Sequence, residues 1–324
     1  MNVQVAANAT AIRTVTDSVE VPQGATLTAW RLSATAVGDD ERPVDVASID
    51  ALVMVDAQAP FGPDATIVAG GDIARCEADH HLATARLVDG VAGTVLTLGD
   101  HVYPSGTAEQ FANCYDLGWG RHRGRTRPTP GNHDWDAAAG APYFSYFGLN
   151  AGLSGLGYFS FDLGSWHIVS LNSNVPAGEG SAQMAWLRSD LATTAALCVL
   201  AYWHHPLFSS GPNGNTPRMA EVWRVLDEAE ADVVLASHDH MYERFASQDA
   251  LGRPDARGLR SFVVGTGGAN PYPLKNLQPN SELREHLTFG VLKLDLRARS
   301  YEWEFLPVAG QSFRDSGTSQ CVVR

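Results

Sequence analysis

Five short polar clusters, each directly after an apolar run or a glycine turn, constrain the fold of this chain most strongly. In the clearest of them, Asp100 and then Tyr103 follow the apolar run 93–98 and Gly99. The run is typical of a buried strand, and the glycine allows a sharp turn where the strand ends. Open α/β sheets build their sites at the carboxyl ends of strands, so we expect Asp100 to lie in such a site. By itself, the segment could equally be a turn aspartate beside a core tyrosine.

The other four clusters share this placement, and they are Asp72, Asn132 with His133, His204, and His238 with His240. Each has an ordinary alternative, because Asp72 could cap a helix, Asn132 could fill a turn and His204 could be a hydrogen-bonded core histidine. In an extended chain residues i and i+2 point to one side, which allows His238 and His240 to reach adjacent metals. The joint occurrence of five clusters predicts one site assembled from distant segments.

From residue 65 onwards, apolar strand patterns alternate with helical ones, which predicts a sheet of βαβ type. We expect helices over 77–89 and 106–116, a helix capped by Ser181, and another that begins at Pro217. A hairpin is predicted over 158–171. Three later strands, near 260–265, 289–296 and 300–306, have no helices between them and predict a second, more antiparallel sheet.

The first 60 residues differ from the rest of the chain in their pattern of predicted strands and turns. Strand patterns over 26–37 and 44–55, with turns between them, predict a small all-β accessory unit at 1–60. A proline-rich connector at 59–63 marks the boundary with a catalytic domain at 64–324. The unit contains no histidine or cysteine, which favours a packing role, with a ligand-binding module as the alternative.

The four cysteines contain no CxxC pair, which argues against thiolate zinc and thioredoxin-like chemistry. An even number suits an exported protein with two disulfides, for which we expect Cys76–Cys114 and Cys198–Cys321. Four buried thiols are the alternative. We expect a secreted or extracytoplasmic protein, although the first residues show no signal peptide.

A formal net charge of −13 argues against nucleic acid as the main partner. It is compatible with a small phosphoester substrate, because bound cations can reverse the local field. No apolar run approaches the roughly 18 residues of a membrane span. The sequence leaves the oligomeric state open.

The clusters together supply two aspartates, a tyrosine, an asparagine and three histidines as candidate metal ligands. Oxygen and imidazole donors without thiolate suit Fe, Mn, Zn or Mg. Seven side chains are too many for one tetrahedral zinc, but they suit two metals about 3.5–4 Å apart that share a carboxylate. We expect Asp100 to be this bridge, since it is central among the clusters.

This series of motifs resembles the calcineurin-like metallophosphoesterase superfamily, and within it the purple acid phosphatase branch. The resemblance covers roughly residues 64–315 and is carried by Gly71-Asp72, Gly99-Asp100-x-x-Tyr103, Gly131-Asn132-His133-Asp134, His204-x-Pro206 and His238-x-His240. Many superfamily members have a histidine where this chain has Ala74. Tyr103 can replace that histidine as a phenolate, which favours ferric iron. The fold implied is a four-layer α/β/β/α sandwich.

The resemblance also implies a role for each residue. One metal, Fe(III), would be held by Asp72, Asp100, Tyr103 and His240. The other, which is Fe(II), Zn, Mn or Mg, would be held by Asp100, Asn132, His204 and His238. His133 would contact the phosphate and help the leaving group depart. His101 and His205, each next to a ligand in sequence, are candidates for the substrate pocket, with packing as the alternative.

The implied function is a dinuclear-metal phosphomonoesterase in which a metal-activated hydroxide attacks phosphorus in line. The alternatives are a phosphodiesterase or nucleotidase of the same superfamily, and a non-catalytic metal-binding or interaction protein. Two features depart from the family pattern. Ser237 stands where glycine is usual, and the loop 209–215 lacks the substrate-contacting histidines of plant-type members. We expect this loop to be flexible and polar.

Overall fold

The computed structural model describes residues 35–37, 43–45 and 64–322, and two β-sheets packed face to face form the centre of this part. The strands are β1 Thr35–Val37, β2 Pro43–Asp45, β3 Ala65–Gly70, β4 Ala74–Arg75, β5 Thr94–Thr97, β6 Val102–Tyr103, β7 Thr126–Pro128, β8 Phe159–Leu163, β9 Trp166–Ser170, β10 Cys198–Tyr202, β11 Val233–Ala236, β12 Tyr242–Phe245, β13 Arg260–Val264, β14 Ser281–Glu285, β15 Gly290–Leu296, β16 Ser300–Pro307 and β17 Ser316–Gln320. The α-helices are α1 His80–Asp89, α2 Ala108–Gln110, α3 Asn132–Asp136, α4 Ala141–Phe147, α5 Ala182–Thr193 and α6 Ala220–Glu228.

Each large sheet contains both parallel and antiparallel strands. The first sheet has the order β17-β16-β15-β3-β5-β7, and its parallel strands are β3, β5 and β7. The second has the order β14-β12-β13-β11-β10-β9-β8, and β9, β10, β11 and β13 are parallel. Strands β9 and β10 are buried along their whole length, as expected for parallel strands covered on both faces.

Alternation along the strands separates three apolar layers. On β10, Leu200 faces the space between the sheets, whereas Val199 faces outward. Helices α5 and α6 cover the outer face of the second sheet through residues such as Leu187 and Val222. Helix α1 covers the first sheet in the same way, with Val88 in the same cluster as Val68. The expected α/β/β/α sandwich is confirmed.

The grouping of the three late strands was wrong. Strand β13 lies parallel to β11 in the second sheet, whereas β15 pairs antiparallel with β3 and with β16 in the first. Apolar periodicity identifies a strand but does not select its partner, which depends on how the whole sheet closes. The strands β4, β6, β7, β12, β14 and β17 were missed.

Several local predictions are confirmed. Strands β8 and β9 form the expected hairpin, and Oγ of Ser181 accepts a hydrogen bond from the Met184 amide at the start of α5. Both expected disulfides are present, with Cα atoms 5.2 Å apart for Cys76–Cys114 and 5.8 Å apart for Cys198–Cys321. The alternative of four buried thiols is therefore wrong.

Little of the predicted N-terminal unit falls within the described residues. Strands β1 and β2 pair antiparallel, with Ala36 opposite Val44. The rest of the predicted unit at 1–60, and the connector at 59–63, lie outside the described residues, so the boundary stays a prediction. Within the part of the chain that is described, no helix has the length and apolar character needed to cross a bilayer.

Candidate metal centre

The five polar clusters meet where the carboxyl ends of the two parallel strand sets come together. From the first sheet, Asp72 follows β3, Asp100 follows β5 and Asn132 follows β7. From the second, His204 follows β10 and His238 follows β11. Crossover connections place successive parallel strands side by side, so residues far apart in sequence share one edge.

One half of the centre converges on the phenol of Tyr103. Its Oη lies 2.9 Å from Oδ1 of Asp72, 3.2 Å from Oδ2 of Asp100 and 3.1 Å from Nε2 of His240. Nε2 of His240 is also 3.5 Å from Oδ1 of Asp72. The four side chains expected to hold the first metal therefore aim their ligand atoms at one point.

The other half is built around His204. Its Nε2 lies 3.2 Å from Oδ1 of Asn132 and 3.3 Å from Oδ2 of Asp100. Nδ1 of His238 is 3.1 Å from the same nitrogen. Asp100 thus touches both halves through the same oxygen, Oδ2, which is the position expected of a bridging carboxylate.

Backbone carbonyl groups orient two of the imidazoles. Nδ1 of His204 lies 2.9 Å from the carbonyl oxygen of Leu98, and Nδ1 of His240 lies 2.6 Å from that of Asn270. Since a carbonyl oxygen only accepts, each Nδ1 carries the hydrogen and each Nε2 is free to bind a metal. Ser237, which replaces the expected glycine, places its hydroxyl 3.0 Å from the same Nδ1 of His204.

The backbone around the carboxylates is unusually constrained. Asp72, Asp100 and His238 have positive φ angles of 56°, 52° and 70°, which non-glycine residues adopt rarely and mostly where surrounding contacts require it. The amide of His238 donates to Oδ2 of Asp72 at 2.8 Å, and the amide of His133 donates to Oδ1 of Asp100 at 2.9 Å. A Cβ at Gly131 would collide with Asp100, so this close approach requires glycine.

Burial and mutual charge shift the pKa values of several groups in the centre. Burial raises the pKa of Asp72. Burial also raises the pKa of Tyr103, and the nearby carboxylates of Asp100 and Asp72 raise it further. Burial also opposes the charge of Asp100, but the neighbouring His204 outweighs it and holds the pKa of Asp100 well below its usual range. For His204, burial lowers the pKa, but Asp100 raises it to about 9. Burial and then His204 lower the pKa of His238 to about 3.

This donor set fits cations. Two buried carboxylates, a buried phenol and inward-facing imidazole nitrogens need positive charge between them, which bound metals supply. The ligand atoms of Asp72, Asp100 and His204 lie within 4.8 Å of one another. Oxygen and nitrogen donors without sulfur match the classes of metal expected from the sequence.

His133 lies at the edge of the centre, beside Tyr103 and Asp100. Nδ1 donates to the carbonyl oxygen of Pro104 at 2.6 Å, and the ring packs 4.5 Å from that of Tyr103. Nε2 is 3.9 Å from Oδ2 of Asp100, and a third of the side chain is exposed to solvent. Nε2 of the His133 ring is therefore close to the carboxylate of Asp100.

His101 does not line the pocket, and that expectation needs correction. Its side chain is fully buried and packs 4.7 Å from the ring of Phe147. Nδ1 lies 2.8 Å from Oδ2 of Asp134, and Nε2 lies 2.7 Å from Oγ1 of Thr97. Both nitrogens are used inside the core, so the packing alternative holds for His101.

His205 lies against the other side of the centre. Its ring packs 4.3 Å from that of His238 and 4.8 Å from that of His204. Burial, followed by these two imidazoles, lowers the pKa of His205 far below its usual range. The two histidines that looked equivalent in sequence thus have opposite surroundings.

Sequence reasoning missed two aromatic contacts at the centre. The ring of Tyr272 stacks on that of His240 at 3.8 Å, and the guanidinium of Arg75 lies 5.7 Å from the ring centre of Tyr103. Tyr272 belongs to an irregular loop 32 residues after His240, with no motif to mark it. The register of β4 with β6, which pairs Arg75 with Tyr103, was likewise invisible in the sequence.

The loop 209–215, expected to be flexible, is held by the carboxylates of Asp239 and Glu243. Oδ2 of Asp239 accepts a hydrogen bond from the Ser209 hydroxyl at 2.5 Å, and Oδ1 accepts one from the Asn213 amide at 3.0 Å. Glu243 accepts from the amide of Ser210 at 2.8 Å. Because these partners lie 26 to 33 residues away in sequence, local composition could not reveal the anchoring.

The chain belongs to the calcineurin-like phosphoesterase family, whose model matches residues 50–242. The family is one of metallophosphoesterases, a class of metal-dependent hydrolases. Among curated relatives, it is 31% identical to purple acid phosphatase 21 of Arabidopsis thaliana over 181 residues, which are 49% of this chain and 41% of that protein. It is 33% identical to purple acid phosphatase 22 of the same plant over 118 residues, which are 34% of this chain and 27% of that protein.

Solved structures show the same fold. Purple acid phosphatase PPD1 from yellow lupin seeds superimposes with a TM-score of 0.64 at 15% identity, over 81% of this chain and 55% of that one. The structure of PhoD superimposes with a TM-score of 0.57 at 12% identity, over 80% of this chain and 70% of that one. The chain matches less than half the length of the two plant relatives, so their activities do not transfer directly.

Proposed function

We propose that this chain is a phosphomonoesterase of the purple acid phosphatase type, with Fe(III) at the Tyr103 half and a divalent Fe, Zn, Mn or Mg ion at the His204 half. The observation that carries the proposal is the convergence on Oη of Tyr103, which lies within 3.2 Å of ligand atoms from Asp72, Asp100 and His240. A phenolate is a hard anionic donor, and it suits ferric iron better than a softer divalent ion.

The seven ligand candidates divide between the two ions as the sequence suggests. Asp72, Tyr103 and His240 would hold the first, Asn132, His204 and His238 the second, and Asp100 both. When bound, the two ions would supply Lewis acidity, lowering the pKa of a water molecule and offsetting the charge of the phosphate.

The role of His133 follows from its hydrogen bonds. Because Nδ1 donates to the Pro104 carbonyl, Nε2 has a proton to give only when the ring is charged. In that form it can donate to the leaving oxygen as the ester bond breaks.

The experiment compares hydrolysis of p-nitrophenyl phosphate by the wild type, Asp100→Asn and His133→Ala, with metal analysis and a visible spectrum of each protein. We expect a tyrosinate–ferric absorption band in the wild type. The rate of hydrolysis should fall by about 100-fold or more in Asp100→Asn. Chelation should abolish turnover, and returning iron with zinc should restore it. His167→Gln, far from the centre, is the matched control.

Other results would refute the proposal. Near-wild-type turnover in Asp100→Asn, or a metal-loaded wild type that hydrolyses no phosphoester, would contradict it. Faster hydrolysis of bis(p-nitrophenyl) phosphate than of the monoester would identify a phosphodiesterase instead.

We also propose that the protein works outside the cytosol. The two disulfides support this location, because structural disulfides persist in oxidising compartments. Thiol titration of the denatured protein, isolated from its native source without reductant, should find no free thiol. Finding four would argue for a reducing compartment.

A further inference from the structure

His205 contributes a ring nitrogen to the centre without being one of the seven ligand candidates. Its side chain is buried, and one of its nitrogens lies within 4.8 Å of nitrogens of His204 and His238. A buried imidazole this close to the centre either binds metal or presents a hydrogen to whatever occupies the site. Which of these it does depends on where its proton sits.

The contacts of Ser173 determine which ring nitrogen of His205 carries the hydrogen. Its Oγ accepts a hydrogen bond from the amide of His205 at 3.2 Å and lies 2.7 Å from Nδ1 of the same residue. The hydroxyl is fully buried, and within residues 64–322 it has no other acceptor for its hydrogen. Ser173 therefore donates to Nδ1, and the hydrogen of the neutral imidazole sits on Nε2.

The loop that carries Ser173 is held from both sides, so this arrangement is fixed before any substrate binds. The amide of Asn172 donates to Oε1 of Gln183 at 2.7 Å, and Nδ2 of Asn174 donates to the carbonyl oxygen of Pro130 at 3.0 Å. The second contact joins the loop to the turn that carries Asn132.

Nε2 of His205 is left as a donor, on a ring that packs against the rings of His204 and His238. Among the described residues it has no hydrogen-bond partner, and it is not one of the unpartnered side-chain atoms sealed from solvent. A nitrogen that carries hydrogen is not a metal ligand. The group suited to it is an oxygen of a bound molecule.

We propose that His205, oriented by Ser173, donates a hydrogen bond to the third terminal oxygen of a phosphomonoester and so selects monoesters over diesters. This inference rests on the proposed function. A monoester phosphate has three terminal oxygens, whereas a diester has two and carries its second organic group in the third position. That group is a weaker acceptor, and it would have to fit against a buried ring.

The test uses three variants that remove, replace or misorient the donor: His205→Leu, His205→Gln and Ser173→Ala. We compare kcat/KM for p-nitrophenyl phosphate with that for bis(p-nitrophenyl) phosphate, and measure binding of inorganic phosphate by calorimetry. Loss of a hydrogen bond to a charged group predicts a fall of about 10- to 100-fold on the monoester in His205→Leu, with a much smaller fall on the diester. Phosphate affinity should fall in parallel.

The conservative variants separate a donor from a structural role. His205→Gln keeps an N–H of similar reach, so it should keep most of the monoester preference. In Ser173→Ala, kcat/KM for the monoester should fall less than in His205→Leu, and the fall should come from a higher KM. Metal content and thermal unfolding of each variant identify any indirect effect through His204.

Three results would overturn the inference. Equal losses on both esters in His205→Leu at unchanged metal content would show that His205 does not discriminate between them. A ¹⁵N–¹H spectrum with the hydrogen of the His205 ring on Nδ1 would contradict the tautomer. If the wild type hydrolyses neither ester, the proposed function fails, and phosphate binding that is unaltered in His205→Leu would then reject the donor role.

Discussion

The hydroxyl of Tyr103 donates a hydrogen bond of 2.9 Å to Oδ1 of Asp72, which lies 31 residues earlier in the chain. Parallel pairing of β4 with β6 brings the two segments together, and the amide of Asp72 donates to the carbonyl oxygen of Gly99 at 3.0 Å. The phenol oxygen therefore lies beside Asp72, and Ala74, two residues after Asp72, has no donor atom to offer.

Replacing Tyr103 with phenylalanine should remove the visible absorption band while leaving the fold intact. The ring is buried and keeps its packing against His133, but the oxygen that meets Asp72, Asp100 and His240 is lost. Absorption spectroscopy and metal analysis check this, with Tyr272→Phe as the matched control. An unchanged band in Tyr103→Phe would refute ligation by this phenol.

Replacing His101 with leucine should cost stability rather than substrate affinity. The change leaves the buried carboxylate of Asp134 and the hydroxyl of Thr97 without their ring partner, which costs about 3 kcal/mol in the free energy of unfolding. Urea denaturation measures this, and Thr97→Val, which loses one neutral hydrogen bond, should cost about 1 kcal/mol. A raised KM at unchanged stability would instead indicate a pocket residue.

The two disulfides should have separable effects. Removing a disulfide lowers the free energy of unfolding, because the unfolded chain gains entropy. We expect a loss of up to about 5 kcal/mol for Cys198→Ala/Cys321→Ala, whose cysteines are 123 residues apart, and of up to about 4 kcal/mol for Cys76→Ala/Cys114→Ala, whose cysteines are 38 apart. Of the two disulfides, only Cys76–Cys114 adjoins the metal centre, since Cys76 directly follows β4, which pairs with the strand of Tyr103. Its removal should alter the visible spectrum and metal content. A spectrum altered equally by both double variants would contradict this.

Stability should fall between about pH 6.5 and pH 9 because of His167. Burial lowers its pKa, but hydrogen bonds of 2.7 Å with Asp162 and 2.8 Å with Asp190 raise it to about 9. A folded-state pKa above the unfolded value means that the charged ring stabilises the fold fully below about pH 6.5, and the contribution disappears as pH rises through 9.

Solvent screens part of this contribution, because Asp162 is 61% exposed, and we expect it to be about 1–2 kcal/mol. Urea denaturation across this pH range measures it. In His167→Gln the decline should flatten, and Asp190→Asn should reduce it. An equally steep decline in His167→Gln would assign the effect to other groups.

Much of the candidate site could be predicted from the sequence because its residues follow strands. Each of Asp72, Asp100, Asn132, His204 and His238 comes directly after an apolar run or a glycine turn, and the ends of parallel strands must share an edge. The cysteines were paired correctly as well, on the expectation of an oxidising compartment. These predictions depend on chain connectivity and on local periodicity, both of which are properties of the sequence.

His101 and His205 show where such reasoning ends. Each follows a candidate ligand by one residue, yet one packs among core aromatic rings and the other lies against His238. Ser173 and Tyr272 carry no local signal at all. Their roles arise from contacts with residues 32 positions away.

The sequence by itself determined the class of fold, the two disulfides and the set of side chains available as ligands, because strand periodicity and donor chemistry are local. Only the tertiary structure decided which neighbouring histidine lies against the centre, which strands share a sheet and which hydroxyl contacts the ring of His205. Those outcomes depend on packing and hydrogen bonds between segments that are distant in the chain.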